Sequence, residues 1–123
     1  MAAAFNNLYA HGFVRVAAAS PRVHLADPAA NARETIELAR QADKSGATLV
    51  VFPELGLAGY TLDDLHMQAT LLAAVRDAVA RVKEASRSLA PVIIVGAPLE
   101  VGPAIHGCAV VIHRGANLQR RAD

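Results

Sequence analysis

Cysteine, tryptophan and clustered charge are scarce or missing in this chain, and each gap removes a class of protein. A single cysteine, Cys108, in 123 residues excludes an internal disulfide and fits a reducing compartment. There is no tryptophan, aromatics make up only 4%, and no basic run is interleaved with them. Nucleic-acid binding therefore has little support. The net charge of +1 gives no pull toward an acidic polymer. No apolar run reaches the length of about 20 residues that spans a bilayer. Met1 to Tyr9 lacks the cationic start and long apolar core of a signal peptide. Cytoplasmic localisation is expected, with neither a membrane nor a nucleic acid as partner. His24, His66, His106 and His113 show no metal-ligand spacing with one another or with Cys108. Gly56-x-x-Gly59 lacks the Lys and Ser/Thr of a phosphate-cradling loop. No metal and no cofactor are expected.

What is present is a layered α/β pattern. The length suits one ordinary domain with a real core, and much of the 54% hydrophobic content is alanine, which favours close helix packing. Phe13 to Ala19 reads as a first strand, closed by Ser20-Pro21. Asp27-Pro28 is a helix start, with a capping carboxylate and a proline where no donor is needed. Ala32, Thr35, Ile36, Leu38, Ala39 and Ala42 form its apolar stripe, and Gly46 is placed to end it. Thr48 to Phe52 is an apolar run without alternation, which predicts a strand covered on both faces.

A capping pair, Thr61 and Asp64, predicts a short helical segment near Leu62 to His66. Leu72, Val75, Val79 and Val82 predict a longer helix within about Gln68 to Ser88. Val92 to Gly96 and Ile105 to His113 read as strands, with a turn between them at Glu100 to Ala104. Arg114 to Asn117 reads as a hairpin turn followed by a stub, Leu118 to Asp123. The order is βαβαβ and then the start of a ββ meander. The sheet looks unfinished, and the chain reads as cut.

One stretch invites a chemical reading: Phe52-Pro53-Glu54-Leu55-Gly56-Leu57-Ala58-Gly59-Tyr60. A glutamate in a loop is commonly just solvated. Glu54, however, directly follows a buried-type strand, and ligand sites of open α/β sheets lie beyond the carboxyl ends of strands. Pro53 restricts the backbone there, while Gly56 and Gly59 permit turns and close approach. A carboxylate partly desolvated at such a place suits a general base.

Val51-Phe52-Pro53-Glu54-Leu55 with Gly59-Tyr60 resembles the first catalytic motif of the nitrilase superfamily of carbon–nitrogen hydrolases. Val95-Gly96-Ala97-Pro98 and Ala109 to Gly115 fall where that family has later strands. Tyr9 to Ala18, Asp27 to Asn31 and the Gly59-Tyr60 plus Asp63-Asp64 region are similar to the glutaminase-domain branch of bacterial glutamine-dependent NAD⁺ synthetases. The resemblance covers about residues 9 to 118. It implies a partial nitrilase-type αββα sandwich, with residues 1–123 forming the N-terminal portion of a glutaminase domain and the synthetase domain absent. It also implies a homo-oligomer and glutamine, or another small amide, as substrate.

By the same resemblance, Glu54 is the general base of a glutamate–lysine–cysteine set. The family's lysine lies shortly after the His-Arg-Gly turn, where a count without gaps meets Asp123, and its nucleophilic cysteine lies beyond the sequence. The 123-residue chain is therefore expected to be inactive alone. Cys108 sits within a strand and lacks the family's surrounding motif, so it reads as a small core residue. His11 falls in a family string and reads as a packing or interface residue. Two rival readings remain open: part of another nitrilase-family amidase or carbamoylase, and a non-catalytic interaction module.

Overall fold

The computed structural model describes residues 12–53, 57 and 69–122. Its elements are β1 (Val16–Ala18), α1 (Pro28–Lys44), β2 (Leu49–Val51), α2 (Ala69–Ala85), a 3₁₀ turn (Ser86–Ser88), β3 (Val92–Val101), β4 (Ala104–His113) and β5 (Ala116–Ala122). The strands form one sheet in the order β1-β2-β3-β4-β5. β1, β2 and β3 are parallel, joined through the two helices, while β3, β4 and β5 form an antiparallel meander. Both helices contribute to one core with the same face of the sheet, as two successive crossovers of the same hand require.

Local chemistry explains the boundaries of α1. The Asp27 carboxylate accepts from the Ala30 N–H at 3.1 Å, and Pro28 occupies the first helical turn. At the other end Gly46 takes φ +79°, its N–H donates to the Asp43 carbonyl, and the Ala47 N–H donates to the Ala42 carbonyl. These paired bonds satisfy carbonyls that the helix end would leave open, and the left-handed residue suits glycine. The chain then enters β2 under control of Arg15, whose carbonyl accepts from both the Thr48 N–H and the Thr48 hydroxyl. The Arg15 guanidinium also donates to the Ser45 carbonyl.

The core lies between this helix layer and the sheet. Val50, Ile93, Val95, Val110 and Ile112 point into it and are essentially inaccessible to solvent. Each such side chain contributes about 1.5–3 kcal/mol relative to an exposed one. Ala32, Ala39 and Ala78 let the helices approach closely, and Leu71, Val75, Val79 and Val82 carry the predicted stripe of α2 into the same cluster.

Several expectations change in detail. The first strand is shorter than predicted, since Phe13 and Val14 lie outside β1 and are mostly exposed. Among the described residues β2 is covered on one face: Val50 is buried under the helices, while Val51 is 39% exposed and Val16, the β1 partner of Leu49, is 60% exposed. Among the described residues only one sheet is present, and none of them forms a second layer on its other face. The segment expected as a helix near Leu62 to His66 lies outside the described residues.

β3 runs through Pro98 to Val101, well past the predicted end at Gly96. A proline is tolerated there for a geometric reason. The backbone groups of Val92, Ile94 and Gly96 point toward β2 or the segment after it. By strand alternation Pro98 points the same way, beyond the end of β2, so its missing N–H breaks no bond to β4. The predicted stub after the second hairpin is instead strand β5, paired from Ala116 to Ala122 with β4. Arg114 and Gly115 form its two-residue turn, both with positive φ.

Candidate functional site at the carboxyl end of β2

The parallel strands present their carboxyl ends at one edge of the sheet, and the chain leaves β2 there through Phe52 and Pro53. Phe52 is buried, and its N–H donates to the Ile94 carbonyl at 2.9 Å. Leu57 is also buried, and its N–H donates to the Gly96 carbonyl at 3.2 Å. Phe52 and Leu57 are five residues apart in sequence (57 − 52), yet their carbonyl partners are only two apart (96 − 94). In an uninterrupted parallel ladder the Gly96 carbonyl would pair with the second residue after Phe52. Phe52 and Leu57, which precede and follow Glu54 in sequence, are thus bonded to consecutive sites on β3.

A second tie reaches Leu57 from α1. Asn31 is only 2% exposed, although it lies on the helix face that carries Ala32, Thr35 and Ala39 into the core. Its Oδ1 accepts from the His24 N–H at 2.6 Å, and its Nδ2 donates to the carbonyls of His24 at 2.8 Å and Leu57 at 3.0 Å. Burial of an amide is costly unless it is bonded, and here both its acceptor and its donors are occupied. Sequence reasoning missed this role. The available signal was a polar residue at a stripe position of an otherwise apolar helix face.

Beside this edge lies a depression of about 210 Å³ lined by Val51, Phe52, Ile94, Gly96, Cys108 and Ala109. Its floor is apolar, so a carboxylate brought to it would lose hydration. Cys108 is 4% exposed in β4, and its thiol donates weakly to the His106 carbonyl at 3.6 Å. A buried thiol among apolar neighbours agrees with the core role read from the sequence.

Glu54 itself lies outside the described residues, as do Gly56, Gly59, Tyr60, Asp63 and Asp64 from the resembling strings. His11 and His66 are outside them too. The structure does place the other strings: Val95-Gly96-Ala97-Pro98 is the middle of β3, and Ala109 to Gly115 is the end of β4 with its turn. His24 faces Glu34 across 3.7 Å at the surface, and His113 Nε2 contacts the Ala90 carbonyl at 3.2 Å. Among the described residues no three His, Cys, Asp or Glu side chains are grouped to hold a metal. No helix among them is long and apolar enough to cross a membrane.

With this geometry the chain's class is defined: it belongs to the carbon–nitrogen hydrolase family, whose model matches residues 15–123. More particularly, it is 49% identical over 114 residues to the glutamine-dependent NAD⁺ synthetase of Mycobacterium tuberculosis, and 46% identical to that of Mycobacterium leprae. Each match covers 93% of this chain but 17% of the relative, so the chain spans about a sixth of their length. Among solved structures, the glutamine-dependent NAD⁺ synthetase of Acinetobacter baumannii superposes with a TM-score of 0.77 at 27% identity, over 85% of this chain and 20% of that one. An amidase of the nitrilase superfamily from Nesterenkonia AN1 gives 0.79 at 23% identity, over 89% of this chain and 42% of that one, which establishes the shared fold. The partial nitrilase-type α/β architecture read from the sequence is the one observed.

Proposed function

We propose that residues 1–123 are the N-terminal portion of a glutaminase domain that supplies ammonia for NAD⁺ synthesis, with Glu54 as its general base and glutamine as its substrate. One observation carries this reading: 49% identity to a glutamine-dependent NAD⁺ synthetase, extending across 93% of the chain. The anchoring of Phe52 and Leu57 at the carboxyl edge of the sheet supports it, because that edge is where open α/β folds do chemistry.

In the proposed reaction Glu54 takes the proton of a cysteine thiol. The thiolate attacks the side-chain amide carbon of glutamine, a cation holds the oxyanion, and the adduct collapses to a thioester as protonated Glu54 returns its proton to the leaving nitrogen, which departs as ammonia. Water then releases glutamate and restores the thiol. The only lysines in the 123 residues are Lys44 and Lys83, and the only cysteine is Cys108. Lys44 ends α1, Lys83 lies in the last turn of α2, and Cys108 is buried in β4. The reading assigns neither of the other two groups to these residues. We place the domain in the cytoplasm and in a homo-oligomer.

The reading is tested with a chimera in which the 114 matched residues replace their counterparts in the Mycobacterium tuberculosis synthetase. Retained glutamine-dependent synthesis supports it. A folded chimera that uses added ammonia but not glutamine would overturn it.

A further inference from the structure

We infer that a depression between α2 and the antiparallel meander is a binding site for a small phosphate monoester. Among the described residues it is lined by Arg76, Val79, Ala80 and Lys83 of α2, Leu99 of β3 and Asn117 of β5, and its volume is about 180 Å³. Spacings of three and four along α2 put its four helix residues on one face. Val79 and Leu99 are buried and make an apolar floor. Lys83 is half-buried beside it, while Arg76 and Asn117 are exposed at its rim.

Two cations share this floor, and no acid answers them. Among the described residues neither Arg76 nor Lys83 takes part in an ion pair, the pairs present being His24–Glu34 and Glu84–Arg87. The sequence explains why. On a helix a charge is neutralised by residues three or four away. For Arg76 these are Leu72, Ala73, Val79 and Ala80; for Lys83 they are Val79, Ala80, Ser86 and Arg87. The acids of α2 face other cations: Asp77 stands four residues before Arg81, and Glu84 accepts from Arg87 at 2.8 Å. Across from the helix, β4 and β5 contain no Asp or Glu. Glu100 is exposed next to buried Leu99, and strand alternation turns it to the opposite face of β3.

Uncompensated positive charge beside an apolar, low-dielectric floor attracts an anion more strongly than the same charge in open water. A guanidinium and an ammonium two turns apart, about 10 Å along the helix, together match a dianion. A phosphate monoester approaches that charge at pH 7, its second pKa being about 6, and the arginine fork fits its oxygens in pairs. The Asn117 amide offers a further donor at the rim. A cavity of about 150 Å³ accommodates benzene, so this depression takes a ring-sized organic group on Val79 and Leu99 with the phosphate between Arg76 and Lys83.

The probe is phenyl phosphate, titrated into the 123-residue chain at low ionic strength and followed by calorimetry and amide NMR shifts. The depression lies on the helix side of the sheet, where Asn117 pairs with buried Ile112, so association through the opposite face leaves it open. Saturable binding is expected, with shifts concentrated at Ala80, Lys83 and Asn117, and tighter than for inorganic phosphate or phenol. Arg76→Gln and Lys83→Gln should each weaken it about tenfold, the usual effect of losing a charged hydrogen bond. Arg81→Gln, which alters an exposed cation of α2 outside the depression, should leave it unchanged. Ala80→Leu fills the depression and should weaken phenyl phosphate about tenfold while sparing inorganic phosphate. All four positions are exposed or half-buried, so circular dichroism should show the fold intact. Binding without saturation, equal weakening by Arg81→Gln, or phenyl phosphate held no more tightly than inorganic phosphate would overturn the inference, leaving only a generally positive helix. Neither Glu54 nor glutamine enters this measurement, so its failure and that of the glutaminase reading are separate results.

Discussion

Replacing Ser86 by alanine should weaken the fold measurably, and the structure sets the size of the effect. Ser86 is fully buried in the 3₁₀ turn after α2. Its hydroxyl donates to the Lys83 carbonyl at 2.5 Å and accepts from the Gly115 N–H at 2.9 Å. The second bond fastens the β4–β5 hairpin to the end of α2. Gly115 takes φ +83° in the two-residue turn, which fixes the direction of its N–H. Ser86→Ala thus leaves a partly buried N–H without its acceptor, which costs about 1–2 kcal/mol. With an m value of about 1.5 kcal/mol/M in urea, the unfolding midpoint should fall by about 0.7–1.3 M. Circular dichroism in urea reads this, at protein concentrations where the transition does not depend on concentration. Ser88→Ala is the internal comparison, because that exposed hydroxyl donates only to the Ala85 carbonyl at 3.3 Å. Equal midpoints for Ser86→Ala and the unaltered chain would refute the reasoning, since water would then satisfy Gly115 as well as the serine does.

Two further outcomes follow from the same structure. Asp27→Ala removes the acceptor for the Ala30 N–H and should cost about 1 kcal/mol, read by urea unfolding, whereas Asp27→Asn should recover most of it. The sheet face left open among the described residues, with Val16 at 60% and Val51 at 39% exposure, should drive self-association of the 123-residue chain. Sedimentation should show oligomers that shift toward monomer in Val51→Lys, and a monodisperse unaltered monomer would contradict this.

The sequence was most legible where one local rule acted alone. Asp27-Pro28 and Gly46 marked both ends of α1 because capping depends on residues adjacent in the chain. The stripe Leu72, Val75, Val79, Val82 located α2 for the same reason. Reading failed where the deciding partner was distant. The strand read as Val92 to Gly96 runs on through Pro98, which is tolerated because β2 has already stopped. Leu118 to Asp123 looked like a stub, and Ala116 and Asn117 like part of the turn, because their composition carries no strand signal; β4 imposes the pairing from Ala116 to Ala122. The apolar run of β2 predicted two covered faces, of which the described residues provide one. At the site, Phe52 and Pro53 were legible as a strand end. The hold of Asn31 on Leu57 spans 26 residues and leaves only a polar letter in an apolar stripe. Glu54 rests on its motif and lies outside the described residues.

The central claim is that Glu54 is the base of a glutaminase, and its most direct test is Glu54→Gln in the chimera with the mycobacterial synthetase. Glutamine-dependent NAD⁺ synthesis should fall by about 10²–10⁴-fold, the usual contribution of a positioned base, while synthesis from added ammonium stays unchanged. Equal loss with both nitrogen sources, or no loss with glutamine, would contradict the account.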